Sequence, residues 1–182
     1  MGLDMYLTKK TYVKQWDHQK PEDRFEVSVQ KGGLPYPAIK PERVSYVEEE
    51  VAYWRKANAV HAWFVANVQD GRDECQETSV SRERLRNLLE TVEAILVSTK
   101  VIPGDVHVGT TVDRHGVHEN YKPGQIIEDT TVAETLLPTQ SGFFFGGTDY
   151  DEFYVQDLQY TRDTIREILS EDDGELYYRA SW

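Results

Sequence analysis

The sequence lacks the features that would tie it to a membrane or to an oxidising compartment. The only cysteine among 182 residues, Cys75, excludes an intramolecular disulfide and any zinc site built from several cysteines, and we expect a small, at least half-buried thiol. No apolar run reaches the roughly 18 residues of a membrane span, and the start MGLDMYLTKK carries no basic leader with an apolar core. These absences predict a cytoplasmic protein without membrane association.

Positive charge is also scarce. The chain has 20 basic against 32 acidic residues, a net charge of −12, and no stretch in which lysine and arginine cluster. Such a chain repels phosphate backbones, so we expect no direct binding to nucleic acid. The acidic residues lie mostly near predicted helix ends, which argues against a surface that mimics DNA.

Length and composition together indicate a single globular domain over residues 1–182. Hydrophobic residues make up 39% of the chain and aromatic residues 12%, which is too many for a disordered protein. A chain of this length can bury roughly 70% of its unfolded surface.

Hydrophobic periodicity predicts the elements in the first half of the chain. Two-residue alternation predicts strands at 3–7 (LDMYL) and 25–31 (FEVSVQK), and prolines and glycines predict an irregular connector after them. We expect a long helix over residues 45–71, opened by Ser45 and Glu48 as a capping box and closed by a glycine.

The second half is predicted to contain two more helices. Leucine, valine and isoleucine at helical spacing predict one at 81–98, and Thr148 with Asp151 forms the predicted cap of another. Short strands and turns are expected over 101–140, a strand at Phe143–Phe145, and a last strand in ELYYRASW. The predicted fold is α+β, with about three helices packed on a mostly antiparallel sheet.

Two polar residues interrupt the apolar stripe of the helix predicted at 45–71. At 100° per residue, the stripe comprises Val51, Trp54, Asn58, His61, Val65 and Val68. A buried amide or imidazole without partners costs about 1 to 3 kcal/mol, so both groups need hydrogen bonds from the fold or from a ligand. We expect both to be buried and to point at a sheet made of the LDMYL and GFFFG strands.

Arginine, lysine and tryptophan near these two residues suggest a ligand site. The candidate ligand-binding residues are Trp54, Arg55, Lys56, Asn58, His61 and Trp63. Guanidinium and ammonium groups bind phosphate or carboxylate, and an indole can stack on a planar ring. The alternative is that Asn58 and His61 only fix packing, with Arg55 and Lys56 paired to nearby glutamates.

Other candidate motifs are less specific. His107, His115 and His118, with Asp113, lack the spacing that marks a metal site, so no metal is expected and no cofactor is assigned. The glycines of SGFFFGG match no phosphate-binding loop and are explained as the ends of a buried strand.

Several segments together resemble a group of uncharacterised proteins of tailed bacteriophages and prophages. These segments are MGLDMYL, YWRKANAVHAWFV with DGRDEC, SGFFFGGTDYDEFY and a terminal YYRASW. The likeness covers essentially the whole chain. It implies expression in the cytoplasm of an infected bacterium and supplies no activity.

The leading functional hypothesis is a phage accessory protein that binds a small anionic, nucleotide-like molecule without turnover, in the context of counter-defence. The first alternative is an enzyme acting on a phosphorylated or nucleotide substrate, with His61 as general acid or base and Asp73 assisting. The second is an acidic inhibitor that binds a host protein, with ELYYRASW as an exposed edge. Homodimerisation through the same edge is a further alternative.

Overall fold

The computed structural model describes residues 2–171 and 173–182; Met1 and Asp172 lie outside the described part of the chain. The strands are β1 (Asp4–Tyr12), β2 (Gln30–Lys31), β3 (Leu34–Pro35), β4 (Tyr46–Arg55), β5 (Thr78–Val80), β6 (Val101–Asp113), β7 (Gly116–Ile127) and β8 (Glu175–Ser181). The helices are α1 (Asn58–Asn67), α2 (Arg82–Ser98), α3 (Thr131–Leu136) and α4 (Glu152–Ser170). The predicted α+β class is confirmed.

The main sheet has the strand order β4-β1-β8-β5, and all its neighbours are antiparallel. β1 lies inside the sheet, and its alternating Leu3, Met5 and Leu7 face the core with no exposed surface. From the last strand, Leu176, Tyr178 and Ala180 point to the same side. The predictions of period-two strands at both ends of the chain are therefore confirmed.

Helices cover the apolar side of this sheet. α2 contributes Leu85, Leu88, Val92 and Ile95 to the core, as its helical spacing predicts. α4 begins at Glu152, and the carboxylate of its N-cap residue Asp151 accepts hydrogen bonds from the backbone of Phe153 and Tyr154, so Asp151 alone caps the helix and the predicted role of Thr148 is wrong. The buried side chains of sheet and helices form one continuous cluster.

The prediction of a helix over 45–71 is wrong for its first half. Residues 46–55 form β4, and the helix occupies only Asn58–Asn67. Pairing with β1 places Glu49 beside Lys9 at 3.1 Å and Glu48 within 3.9 Å of Lys10. Cross-strand contacts of this kind outweigh the weak helix preference of glutamate.

Three other predicted elements differ from the structure. Residues 25–31 form a strand only at Gln30–Lys31, which pairs with Leu34–Pro35, and one further backbone bond joins Tyr36 N–H to Val29 O at 2.9 Å. The stretch 101–140 contains one long hairpin, β6–β7, and α3 rather than several short strands. Phe143–Phe145 belong to an irregular loop.

The path of that loop explains why no strand forms at the three phenylalanines. Phe145 N–H donates back to Gly142 O at 3.2 Å, and a Cβ at Gly142 would lie 2.6 Å from the Phe145 ring. Gly146 then adopts φ +90°, a left-handed conformation that side chains disfavour. The glycines therefore make a tight bend that turns Phe145 inward.

A buried hydrogen bond connects β4 to α4. The Trp54 indole Nε1 donates to Thr161 Oγ1 at 2.9 Å, and that hydroxyl donates to Asp157 O at 2.7 Å. Trp54 and Thr161 are both almost completely buried, so water cannot replace either partner.

Replacing Thr161 by valine should therefore lower the free energy of unfolding by about 1 to 3 kcal/mol, because the indole N–H loses its acceptor at nearly constant side-chain volume. Urea denaturation followed by tryptophan fluorescence measures the change. Thr161→Ser keeps the hydroxyl and should lose clearly less, and equal losses in the two variants would contradict this account.

Candidate functional site

The junction between β4 and α1 is a sharp backbone turn. Lys56 lies between the two elements with φ +62°, which costs a non-glycine residue about 1 to 2 kcal/mol. Two backbone bonds hold it: Lys56 N–H donates to Leu3 O, and Asn58 N–H donates to Lys56 O, both at 2.8 Å. The turn ends the strand and starts the helix within three residues.

Asn58 joins this turn to the phenylalanine loop. Its amide Nδ2 donates to Phe145 O at 3.1 Å and to Gly147 O at 2.7 Å, and its Oδ1 accepts from Gln140 N–H at 2.9 Å. Only 4% of the residue is exposed. As predicted, Asn58 is buried and directed at the GFFFG segment, although that segment is not a strand.

A cavity of about 730 Å³ opens between this turn, the loop, the start of α4 and the bulged part of β6. Arg55, Lys56 and Asn58 line it, together with the following residues: Ala57, Ala59, Val60, His107, Val108, Gly109, Thr110, Thr139, Phe143, Phe144, Gly146, Gly147, Asp149, Asp151, Phe153, Tyr154, Gln156, Asp157 and Leu158. Three of the six predicted site residues therefore meet at one cavity.

One end of the cavity is suited to an anion. Arg55 and Lys56 are exposed, and within residues 2–171 and 173–182 neither forms an ion pair. The glutamates that could have neutralised them bind Lys9 and Lys10 instead, so the predicted alternative pairing is wrong. Gly2 and Gly146 lie close to the aliphatic part of the Lys56 side chain. A Cβ at Gly2 would lie 3.3 Å from Lys56 Cε, and a Cβ at Gly146 would lie 3.0 Å from Lys56 Cβ.

The first turn of α1 adds to this positive end. Its N-cap residue, Ala57, has no side chain that could accept a hydrogen bond from the helix backbone. Ala57, Asn58, Ala59 and Val60 all line the cavity. The partial positive charge of the helix start and the two cations thus face the same space.

Acidic residues also line the cavity. Asp149, Asp151 and Asp157 line it near the start of α4. Burial raises the pKa of Asp157 to about 7, and the neighbouring charge of Asp151 adds to the shift. Burial also raises the pKa of Asp151, although backbone N–H groups of α4 partly offset the effect. The cavity lining therefore combines two cations with three carboxyl groups.

His61 lies outside the cavity lining and is fully buried, as the sequence predicts. Its Nδ1 is 2.8 Å from Tyr178 Oη and its Nε2 is 3.0 Å from Asp73 Oδ2. The neutral tautomer with a proton on Nε2 satisfies both bonds, since the imidazole donates to Asp73 and accepts from Tyr178. Asp73 also accepts from Trp182 Nε1 at 3.0 Å.

This chain of four side chains connects α1 to the last strand. Burial raises the pKa of Tyr178 well above its ordinary value, so the phenol keeps its proton and remains a donor. His61 also packs edge-on against Phe145, with ring centroids 5.2 Å apart. It therefore contacts the GFFFG segment, as predicted, and β8, which the prediction did not include.

The two tryptophans of the predicted site also lie away from the cavity. Trp54 is buried against Phe64 and Tyr160, with centroid separations of 6.0 and 5.9 Å. Trp63 is half-buried beside Phe64 on α1. Their placement follows from the strand: alternation along β4 sends Trp54 inward and Arg55 outward.

Of the remaining candidates, His107 is half-buried and lines the cavity, whereas His115, His118, Asp113 and Cys75 are exposed. His118 and Asp113 approach each other at 3.3 Å near the tip of the β6–β7 hairpin, and both are exposed. Among the described residues, no group of three or more potential metal ligands comes together. Cys75 is exposed with φ +57°, so the expectation of a buried thiol is wrong.

Sequence reasoning missed Asp157, Phe143 and the β6 residues of the cavity. Asp157 sits on an ordinary amphipathic helix, and Phe143 was assigned to a buried strand although it is 95% exposed. The sequence signal that could have identified Phe143 is the set of glycines on both sides of the phenylalanines. Such glycines are typical of a bend, and a bend can leave an aromatic side chain exposed.

Comparison of the chain with protein-family models, with curated proteins and with solved structures gives no significant match. No helix in the described part of the chain is long and apolar enough to cross a membrane. The functional argument therefore depends on the geometry of the site.

Asn58→Leu should lower the free energy of unfolding by about 1 to 3 kcal/mol, because two carbonyls and one N–H lose their partner. Chemical denaturation measures the loss. Val97→Ala, at an exposed apolar position, serves as a control and should change little. Unchanged or raised stability in Asn58→Leu would mean that the amide serves the ligand rather than the fold.

Stability should depend on pH through Asp157. Its pKa is raised from the ordinary 3.8 to about 7 in the folded protein, so folding favours the protonated carboxyl. The resulting contribution is complete below about pH 4 and is lost as the pH rises through 7. Asp157→Asn should remove it, and the variant should gain stability relative to the wild type as pH rises.

Thermal denaturation of wild type and Asp157→Asn between pH 4 and 8 measures this difference. Asp70→Asn, at an exposed position outside the cavity, is the matched control. A difference between Asp157→Asn and wild type that is constant across the range would contradict the raised pKa.

Proposed function

We propose that the protein binds a small anionic, nucleotide-like molecule in the cavity at the β4–α1 junction and does not turn it over. The observation that carries the proposal is the convergence of Arg55, Lys56 and the uncapped start of α1 on one end of the cavity. Unpaired cations beside the start of a helix without a side-chain cap favour phosphate or carboxylate.

The backbone strain at Lys56 supports the same proposal. A left-handed lysine costs stability, and glycine would avoid that cost. Strained backbone that persists next to a cavity is typical of ligand sites. The conformation directs Lys56 between Gly2 and Gly146, where its position is restricted before a ligand arrives.

The geometry favours binding over catalysis by His61. Both ring nitrogens are engaged with Tyr178 and Asp73, and the imidazole is completely buried outside the cavity. A general acid or base must reach the proton that it transfers. The His61-dependent enzyme therefore remains an alternative without geometric support.

The inhibitor alternative also loses its suggested surface. β8 lies between β1 and β5, and its residues 176–178 pair on both sides, so the middle of ELYYRASW is internal to the sheet rather than an open edge. Its last residue, Trp182, is partly exposed but is bonded to Asp73. From the sequence resemblance to phage proteins, we propose that ligand binding serves phage counter-defence.

Differential scanning fluorimetry with a panel of anions tests the proposal. The panel contains phosphate, pyrophosphate, citrate, ribose 5-phosphate, nucleoside phosphates and cyclic dinucleotides. A ligand at 100 times its dissociation constant adds about 2.7 kcal/mol of stability, which raises Tm by roughly 5 to 10 °C in a chain of this size. A panel without any shift would overturn the proposal.

Lys56→Gly should separate stability from binding. Glycine accepts the left-handed conformation, so Tm should stay the same or rise, whereas loss of the ammonium should weaken anion binding by about 10-fold or more. Isothermal titration calorimetry with the best anion of the panel measures the affinity. Asp70→Gly, at φ +53°, makes the same backbone change outside the cavity and should leave binding intact.

A further inference from the structure

The cavity contains two features that an anion alone does not explain. Phe143 lines its mouth with 95% of its surface exposed, and the ring of Phe153 lines it as well, 44% exposed. An exposed aromatic side chain is ordinary by itself. Lys122 Nζ lies over the Phe153 ring, 5.0 Å from its centroid, so Phe143 is the ring that offers open flat apolar surface at the wall of a cavity that Arg55 and Lys56 also line.

The distribution of charge restricts which anions fit. Asp149, Asp151 and Asp157 line the same cavity as Arg55 and Lys56, so a molecule with several separated negative groups would bring some of them close to these carboxyl groups. Like charges in a partly desolvated space repel strongly. The cavity therefore favours a molecule whose negative charge is confined to one end and whose other end is uncharged and carries hydrogen-bond donors.

From this arrangement we propose that the ligand is a nucleoside phosphate, with its phosphate at Arg55 and Lys56 and its base stacked on Phe143. The inference rests on the proposed anion-binding function and specifies its ligand class. A nucleobase supplies a planar ring that can stack on the exposed ring of Phe143. Its N–H groups suit the carboxyl groups of the acidic wall, because carboxylates are hydrogen-bond acceptors.

The position of Phe143 in the loop supports a role in stacking. The neighbouring Phe145 is turned into the core, and Phe144 packs edge-on against Phe143 with centroids 4.8 Å apart. The backbone on both sides is fixed, since Leu3 N–H donates to Phe144 O at 2.9 Å and Asn58 holds Phe145 O. One exposed ring is thus presented on an anchored loop.

Calorimetric titration of ribose 5-phosphate and of the four ribonucleoside 5′-monophosphates tests the inference. The sugar phosphate carries the same anion without a base, so at least one nucleotide should bind about 5- to 150-fold more tightly, the range expected for stacking of one base. In Phe143→Leu this advantage should disappear, while the affinity for ribose 5-phosphate stays the same. Phe143→Trp should retain it.

The outcomes separate this inference from the proposed function. If ribose 5-phosphate and every nucleotide bind with equal affinity, the base is not recognised, and only the present inference fails. It fails equally if the nucleotide advantage survives Phe143→Leu. If no nucleotide binds but another anion of the panel does, the ligand class is wrong and anion binding stands. If nothing binds, both proposals fail. Because Phe143 is almost fully exposed, these variants leave the fold unchanged.

Discussion

The buried amide of Asn58 is the interaction on which the candidate site depends. Its three hydrogen bonds attach residues 140–147 to the start of α1, and this attachment defines two walls of the cavity. No apolar side chain could replace it, because the groups that it binds are backbone polar groups in a buried position. The hydrogen bonds of Asn58 therefore explain why an asparagine interrupts the apolar stripe, and the same bonds form the cavity walls.

The backbone of Leu3 completes the same assembly. Its N–H donates to Phe144 O and its carbonyl accepts from Lys56 N–H, so the first strand connects the loop to the β4–α1 turn. This support can offset the strain at Lys56, since the left-handed backbone is held by partners on both sides. The cationic end of the cavity is therefore built from backbone contacts, and the side chains of Arg55 and Lys56 remain free for a ligand.

The sequence predicted those parts of the fold where local periodicity and tertiary packing agree. α2, α4, β1 and β8 follow their hydrophobic patterns closely. The segment 46–55 did not, because three successive glutamates favour a helix locally while their lysine partners lie on a distant strand. The β6–β7 hairpin was predicted only as short strands and turns, because glycines such as Gly104, Gly109 and Gly124 interrupt the alternation and are typical of strand ends.

The candidate site was predicted partly from a geometry that does not exist. A continuous helix would have put Trp54, Asn58 and His61 on one stripe, but the strand and the turn at Lys56 send them to three different surroundings. Arg55, Lys56 and Asn58 nevertheless line one cavity, because a sharp turn brings consecutive residues around a common space. His61 instead joins a buried chain with Tyr178 and Asp73 behind the same loop. The two polar residues of the stripe thus hold the phenylalanine loop from two sides: Asn58 binds its backbone, and His61 packs against Phe145.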